Sequence, residues 1–489
     1  MLDCALSDRP DRAALVHNNA VLTYRQLNAA ADRLASALGM HPGERVALVA
    51  PNVPALVVGL FAAWRAGAVA VPLSARSRRF ELERAFADAA PAAAVSIAGY
   101  AGFELATEIE RLATRTASLR VCAVVDDLGR VVRASKQQAG ESPAPSDAAL
   151  AAILYTSGTT GEPRGALLTH ALAGEIAGNL ADLLSEDEVA PCGLAVPVSH
   201  AFGLECLLAG IRAGAPLVLL EVMTSIDPLA RALHRHEVAF LHASPALLGR
   251  LVRARTQLAL RGGFVAGARC PPEVLRALDE RGARILNLYG MTELGAVTAC
   301  RREDPVETRC NTVGRALPGY EVRVSVEAAS PPGEIQIYSA FLPTGYHGRG
   351  WSDEEITDDG WFRTGDLGEL DARGNLSIAG RAKEVIHVGG FNVFPAEVES
   401  FLITHPEIAQ AAVIGVAHPV LGEAPRAFVV PVADASIDAS DVVRFARAGI
   451  AGYKVPYTVR LLDELPTLHS GKPDRRELAR IAEREEAIR

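Results

Sequence analysis

The stretch DAALAAILYTSGTTGEPRG, Asp147 to Gly165, decides how this chain folds. Its first half is a short continuous apolar run ending at Tyr155, the pattern of a buried strand, and turn residues follow at once. The second half is therefore a flexible loop at a strand's carboxyl end. Gly158 and Gly161 let the backbone turn its N–H groups inward, while Thr156, Ser157, Thr159 and Thr160 add hydroxyl donors. Arg164 adds a fixed positive charge. These are the parts of a phosphate cradle, although a plain surface turn rich in Gly and Thr has the same composition.

Outward from this point the same rhythm repeats. Apolar runs bounded by turn signals alternate with helical periods: RVALVA then PALVVGLFAAWRAG, VAVPL then RRFELERAFADA, and AAAVSI. That alternation predicts α/β layers. From about Gly314 to Ile378 the short runs YEVRVSV, GEIQIYS, LGELD and GNLSIAG predict a small barrel or meander. Beyond GRAKEVIHVGG the pattern changes to a helix (PAEVESFLITH), two strands (AAVIGVA, RAFVVPV), a helix (DVVRFARAG) and a charged terminal helix. The boundary falls near Arg381 to Lys383. The expected architecture is a large N-terminal α/β domain over residues 1–381, with a small β-barrel-like subdomain, followed by a small α+β domain over residues 382–489.

Composition narrows the function. With 489 residues the chain can bury several cores, and 49% hydrophobic and 22% charged residues are ordinary globular usage. A net charge of -9 gives no basic footprint for a nucleic-acid backbone, so no nucleic-acid partner is expected. The opening MLDCALSDRPDRAAL has no apolar core of the secretory kind, and the longest apolar stretch is broken by Arg65, so no membrane span is expected. Cys4, Cys122, Cys192, Cys206, Cys270, Cys300 and Cys310 show no C-x-x-C pair or His at ligand spacing, which suits reduced core thiols in a cytoplasm.

The glycine loop is followed, in order, by VPVSHAFGLE, VAGARCP, NLYGMTELG, VGRALPGYE, GWFRTGDLGELDARGNLSIAGRAKEVIHVGGFNVFPAEVE and LPTLHSGKPDRREL. This series resembles the adenylate-forming superfamily, which includes acyl-CoA synthetases, peptide-synthetase adenylation domains and firefly luciferases. The resemblance runs from LTYRQL, near residue 22, almost to the end of the chain. It implies an ATP-dependent acid–thiol ligase, in which a carboxylate attacks the α-phosphate of ATP and a thiol then displaces AMP.

Both partners in the first step are anionic, so cations and donors must offset their repulsion. The resemblance implies that the loop Thr156–Gly161 with Arg164 holds the β- and γ-phosphates. Glu293 would hold Mg²⁺ with Thr159, and Thr292 would contact the α-phosphate. A solvated carboxylate at a helix start is the alternative for Glu293. Tyr289 would lie on the adenine face, with Asn287 and the backbone of Gly267 and Ala268 at its edge. Asp366 would accept hydrogen bonds from the ribose diol, Arg381 would add a ribose or phosphate contact, and His200 would stand near the acyl carboxylate. Lys472 would bridge the attacking carboxylate and the α-phosphate. The resemblance also implies that the C-terminal domain is mobile about a hinge at Lys383, and that Gly389 and Gly390 line a pantetheine tunnel.

Phe202, Val265, Leu288, Met291 and Val297 are expected to line an apolar pocket for a small carboxylic acid. The thiol would belong to coenzyme A or, alternatively, to the phosphopantetheine arm of an acyl carrier protein. A nucleotide-binding protein without catalysis is a third reading. Two departures stand out: Arg164 replaces the lysine usual at the end of the phosphate loop, and VAGARC replaces SGGAPL. Arg keeps the charge but presents a planar fork, which bears on ATP affinity.

Overall fold

The computed structural model describes residues 2–136, 149–156, 164–184, 190–221, 226–254, 258–325, 332–388, 391–418, 421–450, 452–468 and 472–486. Packing divides the chain into two compact units. One comprises Met1–Glu321 with Ser339–Asp353, and the other Val322–Tyr338 with Glu354–Arg489. The strands on either side of residue 353 thus fall in different units, and the second unit gathers most of the β-rich stretch together with the C-terminal segment.

The first unit is built from two large sheets among the described residues. Each has a parallel centre and antiparallel edges. In one, Val121–Val125, Ala93–Ser96, Arg45–Val49, Val69–Leu73 and Leu150–Thr156 run parallel as neighbours, and Arg164–Thr169 turns back antiparallel on the last. The apolar run read from the sequence is this Leu150–Thr156 strand. In the other, Arg284–Met291, Gly262–Val265, Phe240–His242, Cys192–Leu194, Leu217–Leu219 and Ala13–His17 form the parallel centre. Strands such as Arg45–Val49 and Val69–Leu73 are buried along their whole length, which is why they read as unbroken apolar runs.

Helices cover these sheets for local reasons. Pro54–Arg65 starts with Pro at its first turn and is apolar almost all round, as a helix buried on every side must be. Tyr24–Leu38 is closed at one end by a capping box between Thr23 and Gln26 and at the other by Gly39 in the left-handed region. Side chains such as Leu241, Leu247, Leu248 and Val265 form one dry core beside the second sheet.

One side chain joins the two sheets. Asn52 follows strand Arg45–Val49 and is 8% exposed. Its amide donates toward the carbonyls of Val196 (2.7 Å), Leu220 (3.2 Å) and Leu194 (3.3 Å), and its own oxygen accepts the Val198 N–H at 2.9 Å. Those carbonyls lie where strands of the other sheet end; that of Leu194 also accepts the Leu220 N–H at 3.1 Å, and the amide adds a partner that the ladder does not supply.

In the second unit Phe362–Leu370 pairs antiparallel with Gly333–Ser339 and Leu376–Arg381. The C-terminal segment forms a mixed sheet in which Gly422–Pro431 lies between Ile408–His418, antiparallel, and Thr458–Leu461, parallel. Helices Pro395–Ile403, Ala439–Gly449 and Arg475–Glu486 accompany it. The fold is mixed α/β throughout. Among the described residues no helix is long and apolar enough to cross a membrane. The six cysteines whose side chains are described are free and buried.

A buried acid lies within this frame. Glu205, on helix Ala201–Ala213, is 6% exposed and accepts a hydrogen bond from the Ala296 N–H. Burial pushes its carboxyl from 4.5 up to about 8, against the opposing pull of that N–H.

Two predictions follow from these buried groups. Asn52→Ala takes a hydrogen-bond partner from the Val196 and Leu220 carbonyls and from the Val198 N–H, and should lower the unfolding free energy by about 2–4 kcal/mol, read as a lower urea midpoint at constant slope. An unchanged midpoint would show that water satisfies those carbonyls equally well. For Glu205, the folded chain keeps a proton that the unfolded chain releases between pH 4.5 and about 8. Its contribution is complete below that window and is lost as pH rises through it. Glu205→Gln removes the titration, so unfolding measured at several pH values should show a shallower alkaline decline than in the wild type. Equal slopes would mean that Glu205 is ionised in the fold.

Candidate active site

The motif NLYGMTELG, Asn287 to Gly295, forms a tight hairpin. Strand Arg284–Met291 turns at Thr292–Leu294 and returns antiparallel as Gly295–Ala299, with Leu288 opposite Ala299 and Met291 opposite Gly295. Gly290 is required here, because a Cβ would stand 2.1 Å from the Gly295 carbonyl oxygen. Glu293 therefore sits at a hairpin tip, and the helix start that its residue type also suited is not what forms. Its Oε1 accepts a hydrogen bond from the Tyr346 hydroxyl at 2.5 Å. Thr292, Met291 and Tyr289 are half-buried, whereas Leu288 and Val297 are buried.

The hairpin stands at the carboxyl end of a parallel strand, the side on which open α/β sheets bind ligands. The neighbouring strand Gly262–Val265 ends in the same direction and releases Gly267 and Ala268 into an exposed loop, Gly267 at φ 86°. Val265 itself is fully buried in the core with Leu241, Leu247 and Leu248. Asn287 donates an amide hydrogen to the Thr312 carbonyl at 3.1 Å, which fixes the side chain's plane. His200 caps helix Ala201–Ala213, and its N–H donates to the Pro197 carbonyl at 3.1 Å. Both His200 and Phe202 are half-buried.

Strands Leu150–Thr156 and Arg164–Thr169, on either side of the glycine loop, pair antiparallel, and Thr156 and Arg164 face each other in register. Ser157, Gly158, Thr159, Thr160 and Gly161 lie outside the described residues, as do Gly389 and Gly390. The Arg164 guanidinium lies over the ring of Tyr346, 5.6 Å from its centroid. In the first unit, then, Tyr346 touches both the glycine-loop cation and the Glu293 carboxylate.

The second unit brings together another set. Asp366 and Arg381 are directly opposite on paired strands, with Nε and Oδ1 3.0 Å apart. Lys383 is exposed in the short 3₁₀ turn Ala382–Glu384. Lys472 precedes helix Arg475–Glu486, and its carbonyl accepts the Leu468 N–H at 2.8 Å. Although the Lys472 side chain is open to solvent, protein crowding around its ammonium lowers its pKa from the ordinary lysine value. Arg381 pushes in the same direction, while Asp366 and Glu384 oppose it. Lys472 therefore lies within charge-coupling range of the Asp366–Arg381 pair.

Arg475 is a residue that motif reading passed over. Its guanidinium reaches Glu399 at 2.8 Å, Glu384 at 3.2 Å and the Val413 carbonyl at 2.5 Å, so it ties the Lys472 loop to the residue after Lys383. Tyr346 was missed as well. The signal for Arg475 was the arginine pair after GKPD; for Tyr346 there was only a tyrosine after glycine in TGYHG, which no spacing connects to Glu293.

The donor set suits a hard, hydrated cation. Glu293 offers one partly exposed carboxylate with one oxygen held by Tyr346, and Mg²⁺ is commonly held by one or two carboxylates together with substrate phosphates and water. No cluster of three ligands occurs among the described residues, and this mode needs none.

Known proteins resemble this chain over most of its length. The family profile described as AMP-binding enzyme matches residues 2–347, and that of the AMP-binding enzyme C-terminal domain matches residues 397–472. The chain is 32% identical over 483 residues to a feruloyl-CoA synthase of an Amycolatopsis species, covering 95% of this chain and 94% of that protein. Among solved structures, ATP-bound MatB from Rhodopseudomonas palustris superposes with a TM-score of 0.83 at 28% identity, covering 98% of both chains. The o-succinylbenzoate coenzyme A synthetase of Bacillus subtilis, in complex with ATP and magnesium, gives 0.82 at 27% identity, again over 98% of both. With a profile spanning most of its length and a relative at this identity over nearly the whole sequence, the chain belongs to the AMP-binding enzyme family.

Proposed function

We propose that this protein joins a small carboxylic acid to coenzyme A in two steps, with acyl-AMP between them. The observation that carries the reading is the pairing of Asp366 with Arg381 across adjacent strands, in the same unit as Lys472 and within its charge-coupling range, which offers a carboxylate suited to a ribose diol. The named relatives support coenzyme A as the thiol: one is a feruloyl-CoA synthase and another a coenzyme A synthetase.

In the first step an oxygen of the acid's carboxylate attacks the α-phosphorus of ATP, and the bond to the bridging oxygen of pyrophosphate breaks. Negative charge gathers on both sides of that phosphorus. Lys472 bridges the attacking carboxylate and the α-phosphate and offsets this charge. Asp366, held flat by Arg381, accepts hydrogen bonds from the ribose hydroxyls. Tyr289 stacks on the adenine, with Asn287 and the Gly267–Ala268 backbone at its edge. Glu293 would hold Mg²⁺, which neutralises phosphate charge when bound. The loop from Thr156 to Arg164 holds the outer phosphates, and Thr292 contacts the α-phosphate. In the second step the thiolate sulfur attacks the acyl carbon and AMP leaves with the bonding electrons.

His200 and Phe202 would stand near the acid, with Met291 on the apolar wall and Val265, Leu288 and Val297 buried behind it, which favours an acid with an apolar body. The division at residue 381, the hinge at Lys383 and the tunnel role of Gly389 and Gly390 belong to this same proposal. A hinge at Lys383 would let one small domain serve the two steps in turn.

Lys472→Ala tests the reading. It should slow acyl-AMP formation, followed by pyrophosphate release, by on the order of a hundredfold or more, and leave thioester formation from supplied acyl-AMP near normal. An equal fall in both half-reactions would remove Lys472 from the role given to it.

A further inference from the structure

Tyr346 occupies a position that the reaction scheme has not used. It lies in the short strand Gly345–Tyr346, which pairs antiparallel with the strand that begins at Arg164, Tyr346 opposite Ala166. The next residue reinforces this pairing, since the His347 N–H donates to the Gly165 carbonyl at 2.7 Å. The other edge is equally constrained. A Cβ on Gly345 would stand 2.2 Å from the Arg349 carbonyl oxygen, so the backbone passes there only as glycine. The tyrosine side chain is 7% exposed. Trp351 packs edge-on against its ring at 5.0 Å, and the Trp351 indole N–H is itself anchored on the Pro343 carbonyl at 2.6 Å.

A ring fixed in this way has two contacts with the site. Its hydroxyl donates to Glu293 Oε1 at 2.5 Å, a distance typical of a charge-assisted O–H···O⁻ bond. The guanidinium of Arg164 lies 5.6 Å from the ring centroid, and that of Arg349 lies 4.7 Å from it. A guanidinium can lie flat on an aromatic face, a geometry an ammonium does not share. The arginine in place of the usual lysine thus meets a partner suited to it.

We propose that Tyr346 is a positioning residue that sets the Glu293 carboxylate and the Arg164 guanidinium in one fixed relation. Its hydroxyl occupies one oxygen of Glu293 and orients the other toward the metal and phosphates. Its ring holds the guanidinium plane of Arg164 at the end of the phosphate loop. The proposal rests on the reading above, in which Glu293 holds Mg²⁺ and Arg164 faces the outer phosphates. It adds that the two are not independent. Hydrogen-bonded partners of metal-holding carboxylates act on metal affinity even though they never touch the ion.

The test uses the full chain and a non-hydrolysable ATP analogue, with binding followed by calorimetry as Mg²⁺ is titrated. Tyr346→Phe keeps the ring and removes the hydroxyl. It should weaken Mg²⁺-dependent binding of the analogue by about tenfold or more, the range typical of lost partners of metal ligands, with little change in Mg²⁺-free binding. In turnover, KM for Mg·ATP should rise while KM for the acid stays fixed. Tyr346→Leu also removes the ring and should weaken Mg²⁺-free binding too. If that variant does not fold, Arg164→Gln should produce the same Mg²⁺-free loss with Tyr346 intact. In a Glu293→Gln background the phenylalanine substitution should have no further effect.

The outcomes separate cleanly. If Glu293→Gln weakens Mg²⁺-dependent binding and Tyr346→Phe does not, Tyr346 has no positioning role and the functional reading stands. If Tyr346→Phe weakens binding equally with and without Glu293, it acts elsewhere and the proposal falls. If Glu293→Gln leaves Mg²⁺-dependent binding unchanged, the assignment of Glu293 is wrong, and the role of Tyr346 falls with it.

Discussion

The amide of Asn52 is the interaction on which the larger unit depends. Parallel sheets place their ligand-binding edge at the carboxyl ends of their strands, and those ends leave carbonyls that no neighbouring strand can pair. Asn52 stands at such an end in one sheet and donates to the carbonyls of Val196 and Leu220 at the corresponding end of the other, and to that of Leu194, which the Leu220 N–H also reaches. Asn52 is thus a polar tie between the ends of internal strands of the two sheets. The antiparallel strand pairs that carry Glu293 and Arg164 belong to the two sheets that this side chain bridges.

Each unit then assembles its own charged group before any substrate arrives. In the first, Tyr346 links Glu293 and Arg164. In the second, Arg381 pairs with Asp366, and Arg475 anchors the Lys472 loop to Glu384 and Glu399. Preorganisation of this kind matters for phosphoryl chemistry, where stabilisation comes from fixed charges that need not reorient as the reaction proceeds. The arginines here do mostly structural work, with side chains braced by carboxylates, carbonyls or rings.

The sequence made the strands and the motif residues legible because both are local patterns. The apolar run before the glycine loop became Leu150–Thr156, and the helix and strand alternation on either side followed as expected. What stayed hidden was contact between distant segments. Taken alone, Glu293 suits a helix start, and only the close approach of Gly290 to the Gly295 carbonyl makes the hairpin plain. Tyr346 lies 53 positions from the glutamate it holds, and no periodicity spans such a gap. Glu205 reads as an ordinary polar position in an apolar helix, and only packing shows that it is sealed from water. The grouping of the β-rich stretch with the C-terminal segment is likewise a matter of packing.

Lys472 gains meaning from the chain's own habits. Only four of its 49 basic residues are lysines: Lys136, Lys383, Lys454 and Lys472. Elsewhere this protein expresses positive charge almost entirely as guanidinium, even at the end of the glycine loop. A guanidinium is broad and planar, while an ammonium is a small point charge with three rotatable donors. Where a cation must fit between two oxyanions as they draw together, only the compact form can follow them. In a chain so given to arginine, an ammonium at residue 472 suits the role proposed for it, where size as well as charge would decide which cation can serve.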